Sequence, residues 1–234
     1  MDRSPNRANA SSASAGGPGS AVATAFVLAG GESSRMGSDK ALLTLPTGET
    51  MLEHALAVAT EAVGRVLLVA PANRYPEVEK RFRVIHDVYP GQGPLAGIHA
   101  ALSVSTTELN VILGVDCPRI TPELLRFLLA IAAGTAALAV VPRVQGRLHT
   151  VCAVYRKAFA PAAEQELRSA TQQLGSAGAG VLGSRRGTRI ERLLAQVPGR
   201  VVEEDELREA GFGAELFTNV NTPQDLAALA SGRV

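Results

Sequence analysis

Residues 24–43 read TAFVLAGGESSRMGSDKALL. The run TAFVLA is short and apolar, and it predicts a strand. Two adjacent glycines, Gly30 and Gly31, end this strand and let backbone N–H groups approach an anion without obstruction by a Cβ atom. Two cations, Arg35 and Lys40, follow at short range. The stretch therefore predicts a strand that leads into a binding loop suited to a triphosphate.

Neither of the two commonest phosphate loops fits this stretch. A P-loop needs Gly-Lys-Ser/Thr in succession, whereas Ser38 and Asp39 separate Gly37 from Lys40. A dinucleotide fingerprint needs GxGxxG at the start of a helix, and AGGE at 29–32 does not supply it. Taken alone, the glycine pair is also compatible with an ordinary tight turn.

Outward from this stretch, strand-like runs alternate with helical patterns, which is typical of βαβ units. The fold class predicted is therefore α/β, a three-layer α/β/α, Rossmann-like arrangement with a mostly parallel sheet. Strands are predicted at 24–29, 65–70, 83–87, 110–116, 136–142 and 151–155. Helices are predicted at 49–63, 95–104, 121–133 and 222–230.

The chain length of 234 residues suits one substantial domain. Residues 1–22 are rich in Ser, Ala, Gly, Asn and Pro, without the apolar core of a signal peptide, and are predicted to form a disordered extension. Residues 23–234 are predicted to form the domain. Within it, residues 169–188 are rich in Gly, Ala and Ser and are predicted to form a flexible loop.

Composition excludes several classes of partner. Lys and Arg total 23 against 22 for Asp and Glu, so no overall positive field favours nucleic acid or an acidic membrane. No run of about 18 apolar residues indicates a membrane span. The two cysteines, Cys117 and Cys152, form neither a CxxC pair nor a zinc cluster, and we interpret them as small buried residues. We expect a soluble, cytoplasmic protein that binds neither nucleic acid nor membrane.

Two acids follow predicted strands, at the sheet edge where open parallel sheets bind ligands. Asp116 ends the strand at 110–116, and Asp87 ends the strand at 83–87. A carboxylate at this edge can hold Mg²⁺, which uses one or two carboxylates together with substrate phosphates. Asp116 alone could also cap the following turn. With the glycine-rich loop, the two acids favour nucleotide chemistry.

Four stretches resemble the molybdenum cofactor guanylyltransferases, a family of MobA-like nucleotidyltransferases. They are LAGGESSRMGSDKAL, HDVYPGQGPLAGIHAAL, VDCP and NVNTP, and the second contains GPLAG at 93–97. The similarity covers most of residues 23–230. Sugar-phosphate nucleotidyltransferases usually have a Gly-Thr-Arg turn where this chain has SSR at 33–35. The related cytidylyltransferases tend to differ at GPLAG, so the resemblance favours guanylyl transfer.

The resemblance implies roles for matching positions. Nucleotide contacts are implied at Leu28, Ala29, Gly30, Gly31, Lys40, Asp87 and Asp116. The catalytic positions implied are Lys40, which would lie against the phosphates, Asp116, which would bind Mg²⁺ together with GTP, and the cation Arg35. Asn219 and Asn221 of NVNTP are expected near the metal and the acceptor.

Two departures from the family pattern affect these expectations. Pro71 stands where a nucleotide-contacting Asn is expected, with Asn73 close by, and proline offers neither a backbone N–H nor a side-chain amide for a base or ribose contact. The segment Leu148–Thr150 lacks the proline usual in that loop. Arg185 and Arg186 suit a solvated surface, but they could alternatively bind the phosphate of the acceptor.

The function implied is Mg²⁺-dependent transfer of GMP from GTP to the terminal phosphate of molybdopterin, with release of pyrophosphate. The partners implied are GTP and molybdopterin or the molybdenum cofactor, and the resemblance also admits cofactor-inserting proteins and molybdoenzymes. Two alternatives stay open: transfer from CTP or to another phosphorylated acceptor, and a non-catalytic nucleotide-binding partner of cofactor enzymes. Lys40 and Asp116 are both present, which disfavours the non-catalytic alternative.

Overall fold

The structure is a computed structural model that describes residues 23–30, 39–176 and 186–230. The strands are β1 Thr24–Leu28, β2 Val66–Val69, β3 Val84–Ile85, β4 Leu109–Gly114, β5 Ala139–Val144, β6 Arg147–Leu148, β7 Cys152–Arg156 and β8 Gly199–Val202. The α-helices are α1 Met51–Val63, α2 Pro76–Glu79, α3 Pro94–Val104, α4 Pro122–Ala133, α5 Ala160–Ser176, α6 Arg186–Leu194, α7 Glu204–Glu209 and α8 Pro223–Ala230. Every strand and helix predicted from the sequence is present.

These strands form a mixed sheet in the order β3-β2-β1-β4-β7-β5-β6, with β8 paired to β5. The pairs β3–β2, β2–β1, β1–β4 and β5–β8 are parallel, whereas β7 runs antiparallel to both β4 and β5. A parallel connection needs a crossover of a dozen or more residues. The short segment between β5 and β7 instead folds back as a hairpin through β6, in which Gln145 and Gly146 both have positive φ, at 49° and 73°.

Helices cover both faces of the sheet, which confirms the α/β class and the three layers. Along β1 the side chains alternate, so that Ala25 and Val27 join one core and Phe26 joins the other. The first core is closed by α1, α4 and α7, and the second by α3, α5 and α6. The strand ends at the central β1–β4 pair are thereby held on a rigid support.

The predicted loop at 169–188 is wrong over residues 169–176, where α5 continues to Ser176. Ala163, Leu167 and Ala170 recur at helical spacing and are buried, so packing against the core outweighs the weak helix signal of the small residues around them. The helix α6 begins at Arg186. Residues 177–185 lie outside the described part of the chain, as do residues 1–22.

Helix starts follow the capping chemistry that the sequence indicates. Thr121 caps α4 by accepting from the N–H of Leu124, with Pro122 at the first helical position, as predicted.

Both cysteines are free and buried, which agrees with their interpretation as core residues. Over the described residues, no helix is long and apolar enough to cross a bilayer.

Candidate active site

The central feature of the site is the carboxyl end of β1, which lies between β2 and β4. Ala29 donates its N–H to the Val69 carbonyl at 2.9 Å and so extends the strand pairing. Gly30 follows and is exposed. Pro71 borders it, since a Cβ built on Gly30 would lie 3.8 Å from Pro71 Cδ. The residue that departs from the family pattern therefore stands beside the predicted nucleotide contacts.

The side chain of Leu28 packs beneath α3 at the end of β1, on the face of the sheet that α3 covers. It packs against α3, where a Cβ placed on Gly97 would come within 3.4 Å of Leu28 Cδ1. Gly97 belongs to the GPLAG stretch, and α3 begins at Pro94 within the same stretch. The small residue at position 97 thus allows α3 to approach β1 closely, which links GPLAG to the strand end.

Asp116 lies just beyond β4, next to the end of β1. Its Oδ1 folds back over Gly114, where a Cβ would lie only 2.8 Å away, and its Oδ2 points toward Lys40. A Cβ on Gly114 would also meet Val151 Cγ2 at 3.0 Å. Glycine at position 114 therefore leaves room for the carboxylate.

Lys40 brings a cation to Asp116. Its ammonium donates to Asn221 Oδ1 at 2.9 Å, and Lys40 Nζ lies 3.9 Å from Asp116 Oδ2. The side chains of Lys40 and Asp116 are each 25% exposed. Since partly exposed ion pairs at this distance are weak, either partner can exchange the contact for a bound phosphate or cation.

The segment NVNTP passes over the end of β4 and supplies two amides with different contacts. Val220 donates its N–H to the Asp116 carbonyl at 2.8 Å, which fixes the segment to the strand end. Asn219 Oδ1 accepts from the Cys117 thiol at 2.8 Å, whereas Asn221 Oδ1 accepts from Lys40. The two asparagines therefore lie on opposite sides of Val220 and serve different neighbours.

A cavity of about 190 Å³ opens beside Asp116 on the side of Asn219. Charged and polar residues of its lining are Asp116, Arg147, His149, Thr150, Glu191 and Asn219. The His149 ring packs on Phe217 with centroids 4.7 Å apart. Burial lowers the pKa of His149, Arg147 lowers it further, and Asp116 opposes both effects. His149 is consequently neutral near pH 7.

A larger open groove, of about 920 Å³, lies between α1 and α2 and is lined by Glu49, Glu53, Glu61 and Glu77 among others. It contains none of the predicted site residues. The strand ends, and not this groove, therefore hold the candidate site.

Asp87 follows the edge strand β3, three strands away from β4. At the usual spacing between strands this separation is about 14 Å, too far for Asp87 and Asp116 to share one metal ion. Asp87 Oδ1 accepts from the N–H of Tyr89 at 2.7 Å. Burial raises the pKa of Asp87, while the Tyr89 N–H and nearby His99 lower it. The two acids therefore lie at the same edge of the sheet but at separate positions along it.

Several predicted positions lie outside the described residues: Gly31, Arg35 and Arg185. Arg186 is the first residue of α6, and its side chain is likewise not described. The predictions for these four residues stay predictions. Of the others, the structure brings Lys40, Asp116, Asn219 and Asn221 together beside the end of β1.

One cluster beside the site was not predicted from the sequence. Asp39 caps the short 3-10 helix Lys40–Leu42, its Oδ1 accepting from the N–H of Ala41 at 3.1 Å. Its Oδ2 accepts from Arg74 Nε at 2.7 Å and lies 2.8 Å from the Tyr75 hydroxyl, which is also 2.9 Å from the carbonyl oxygen of Ala29. Tyr75 is 3% exposed, and burial raises its pKa, so the hydroxyl keeps its proton.

A magnesium ion fits the donors at Asp116. In the described part of the chain no group of three or more His, Cys, Asp or Glu residues could hold a metal. Mg²⁺ does not require such a cage, because it commonly binds one or two carboxylates and completes its shell with waters and substrate phosphates. A single partly exposed carboxylate at the end of β4 suits an ion that is shared with a bound triphosphate.

Two solved structures share this fold. Molybdopterin-guanine dinucleotide biosynthesis protein A of Archaeoglobus fulgidus superposes with a TM-score of 0.71 at 22% identity, over 90% of this chain and all of that one. A CMP:2-keto-3-deoxy-manno-octonic acid synthetase solved with CTP superposes with a TM-score of 0.62 at 15% identity, over 91% of this chain and 99% of the other.

The sequence defines the family. Residues 25–180 match the MobA-like NTP transferase domain, and the chain belongs to that family. A relative from Carboxydothermus hydrogenoformans, named "Probable molybdenum cofactor guanylyltransferase", is 34% identical over 88% of this chain and 94% of its own. A relative of the same name from Mycobacterium avium is 35% identical over 89% of this chain and 95% of its own. The chain is thus a member of a nucleotidyltransferase family, as predicted.

Proposed function

We propose that the protein transfers GMP from GTP to the terminal phosphate of molybdopterin, with Mg²⁺ bound at Asp116. The observation that carries the proposal is the contact of Lys40 with Asn221 and Asp116 at the end of β4, beside the glycine-ended strand β1. The names of the relatives supply the guanylyl group and the molybdenum cofactor.

The reaction is a substitution at the α-phosphorus. An oxygen of the acceptor phosphate forms a bond to this phosphorus, the bond from the phosphorus to the bridging oxygen of the β-phosphate breaks, and pyrophosphate leaves with the electron pair. The acceptor is already an anion, so the step needs positioning and charge neutralisation more than a strong base. This agrees with a site that offers a lysine, a carboxylate and amides.

Lys40 supplies the cation for the departing phosphates. Its ammonium is partly exposed, with a weak ion pair to Asp116 and an exposed hydrogen bond to Asn221, so it can turn to a triphosphate laid along the end of β1. A lysine in this place stabilises the charge that grows on the leaving group. Bound Mg²⁺ would supply further neutralisation of phosphate charge, and Asp116 is the residue that would hold it.

The nucleotide and the acceptor occupy opposite sides of Asp116 in this proposal. The end of β1 and Asp87 both belong to the part of the sheet formed by the parallel strands β3, β2, β1 and β4. We assign the nucleotide to that part. The cavity of about 190 Å³ lies toward β6 and β7. Arg147 gives the lining a cation suited to an anionic acceptor, and neutral His149 adds a flat ring. The cavity is accordingly assigned to the acceptor.

The test is pyrophosphate release measured with ATP, GTP, CTP and UTP, each with and without molybdopterin, in Mg²⁺ buffer. The proposal expects release that requires both GTP and molybdopterin and stops when Mg²⁺ is chelated. Release with CTP in place of GTP would contradict the guanylyl assignment. Binding of a nucleotide without any release would instead favour the non-catalytic alternative.

A further inference from the structure

Tyr75 joins two points of the chain that flank the predicted phosphate loop. Its hydroxyl lies 2.9 Å from the carbonyl oxygen of Ala29 and 2.8 Å from Asp39 Oδ2. Ala29 precedes Gly30 at the end of β1, and Asp39 immediately precedes Lys40. One buried side chain therefore ties the nucleotide end of β1 to the turn that carries the site's cation.

We propose that Tyr75 and Asp39 are positioning residues that fix Lys40 relative to the end of β1. The inference rests on the proposed function in one respect, namely that Lys40 acts on the phosphates of a nucleoside triphosphate. It does not depend on which base the nucleotide carries or on the identity of the acceptor.

The helix that carries Lys40 needs an external anchor. It comprises only Lys40–Leu42, and a 3-10 helix of this length has little stability of its own. Asp39 Oδ1 caps it through the N–H of Ala41, while Asp39 Oδ2 is fixed by Arg74 and Tyr75. Buried Ala41 anchors the C-terminal side of Lys40, and Asp39, held in turn by Tyr75, anchors its N-terminal side.

Side-chain contacts do not replace this anchor. Lys40 has a long flexible side chain, and its partners Asn221 and Asp116 are the groups it must leave when phosphates bind. After that exchange, the side chain no longer helps to locate Lys40, and the Asp39 cap acts on its backbone together with the packing of buried Ala41. The positioning pair therefore matters most in the nucleotide complex.

The Tyr75 hydroxyl has one proton and two acceptors, so it donates to Ala29 or to Asp39 at a given moment. Arg74 Nε donates to the same Asp39 oxygen at 2.7 Å and keeps it paired in either case. Replacing the hydroxyl by hydrogen in Tyr75→Phe leaves the ring packed and the Asp39–Arg74 pair intact. It removes only the link between Asp39 and the strand end.

The experiment measures Kd for MgGTP by calorimetry, without acceptor, in the full-length chain and in Tyr75→Phe, Lys40→Met and the double variant. We expect Tyr75→Phe to weaken GTP binding by about 10-fold in the chain with Lys40, as for loss of a buried hydrogen bond near a charge. In the Lys40→Met background we expect the same change to weaken binding by less than about 2-fold, because the residue being positioned is gone.

The matched control is Tyr155→Phe. Tyr155 is fully buried and its hydroxyl donates to the Thr150 carbonyl at 2.8 Å, so the same atom is removed from a similar bond on the other half of the sheet. We expect Tyr155→Phe to leave the GTP affinity within about 2-fold of the unsubstituted chain, as is usual for sites that do not couple.

Two results would overturn the inference: an unchanged GTP affinity in Tyr75→Phe, or equal weakening with and without Lys40, which is what a merely structural role predicts. Failure of the proposed function has a different signature. If the protein binds CTP and not GTP, the guanylyl assignment fails, while the same comparison of the unsubstituted chain with its three variants, made with MgCTP, still decides the role of Tyr75. If no nucleoside triphosphate binds, both proposals are wrong.

Discussion

Lys40 Nζ lies 3.9 Å from Asp116 Oδ2, although 76 positions of sequence separate a short helix after β1 from the end of β4. Asn221 completes the arrangement by accepting from the same ammonium at 2.9 Å. Cation, carboxylate and amide thus meet beside the strand end that the proposal assigns to the nucleotide. Substitutions at these positions can separate the contributions of the three groups to activity.

The first prediction concerns the two charged groups. Lys40→Ala and Asp116→Ala should each lower kcat/KM for pyrophosphate release by about 100-fold or more, as for loss of a preorganised group that stabilises developing charge. Both side chains are partly exposed, so the thermal midpoint should change little. Steady-state kinetics and thermal denaturation of the same samples test this. Full activity in either variant would contradict the assignment.

The second prediction concerns Gly114. A Cβ there would lie 2.8 Å from Asp116 Oδ1, so Gly114→Ala should displace the carboxylate and reduce activity by about 10-fold or more. Gly134→Ala is the matched control, since its Cβ would meet nothing closer than 3.6 Å and its φ of −86° suits alanine. Similar kinetics for the two variants would show that the space over position 114 is unimportant.

The third prediction separates the two asparagines. Asn221→Ala removes the acceptor of the Lys40 ammonium and should change the GTP affinity or kcat by about 5-fold, as for one hydrogen bond to a charge. Asn219 lines the cavity, so Asn219→Ala should instead raise KM for the acceptor. Kinetics with each substrate varied in turn distinguish them. The same pattern in both variants would argue against separate roles.

The fourth prediction is the titration of His149. Because burial and Arg147 lower its pKa, NMR titration should place the pKa below about 6.5, the ordinary value for histidine. Arg147→Gln removes the repulsive charge, so the pKa should rise toward that value while staying below it. If the pKa of His149 does not rise in Arg147→Gln, the charge of Arg147 does not act on the His149 ring.

The same shift has a defined sign for stability. A histidine with a lowered pKa in the folded state is protonated first in the unfolded chain as the pH falls. The contribution of His149 to the free energy of unfolding is therefore fully present above about pH 6.5, and it is lost as the pH falls through the folded-state pKa of His149. His149→Phe should flatten this part of the stability profile, measured by chemical denaturation.

The sequence predicted the parallel half of the fold well, because buried strands and amphipathic helices leave clear patterns at β1, α1, β2 and β4. The antiparallel direction of β7 was not predicted. The short segment between 142 and 151 is the signal that could have indicated it, since a parallel crossover does not fit there. The helical stretch at 169–176 was missed because its small residues also suit a loop.

The site was predictable where a residue type and a strand end coincide, as at Asp116 and Gly30. Tyr75 could not have been found in this way. Its partners Ala29 and Asp39 are distant in sequence, and the contact depends on how the segment after β2 folds over the end of β1. Asp39 did carry a weak signal, because an aspartate just before a short helix commonly caps it.

The hairpin of β5 and β6 has a consequence for how the protein can diversify. In the described part of the sheet, β7 lies between this hairpin and β4, the nearest of the strands β1 to β4, and the hairpin carries Arg147 into the cavity wall. Changes in the length or side chains of its turn at Gln145 and Gly146 would reshape the chamber next to Asp116 without shifting the register of β1 on β4. Under the proposed function, acceptor choice and nucleotide choice can therefore evolve as independent traits of one scaffold.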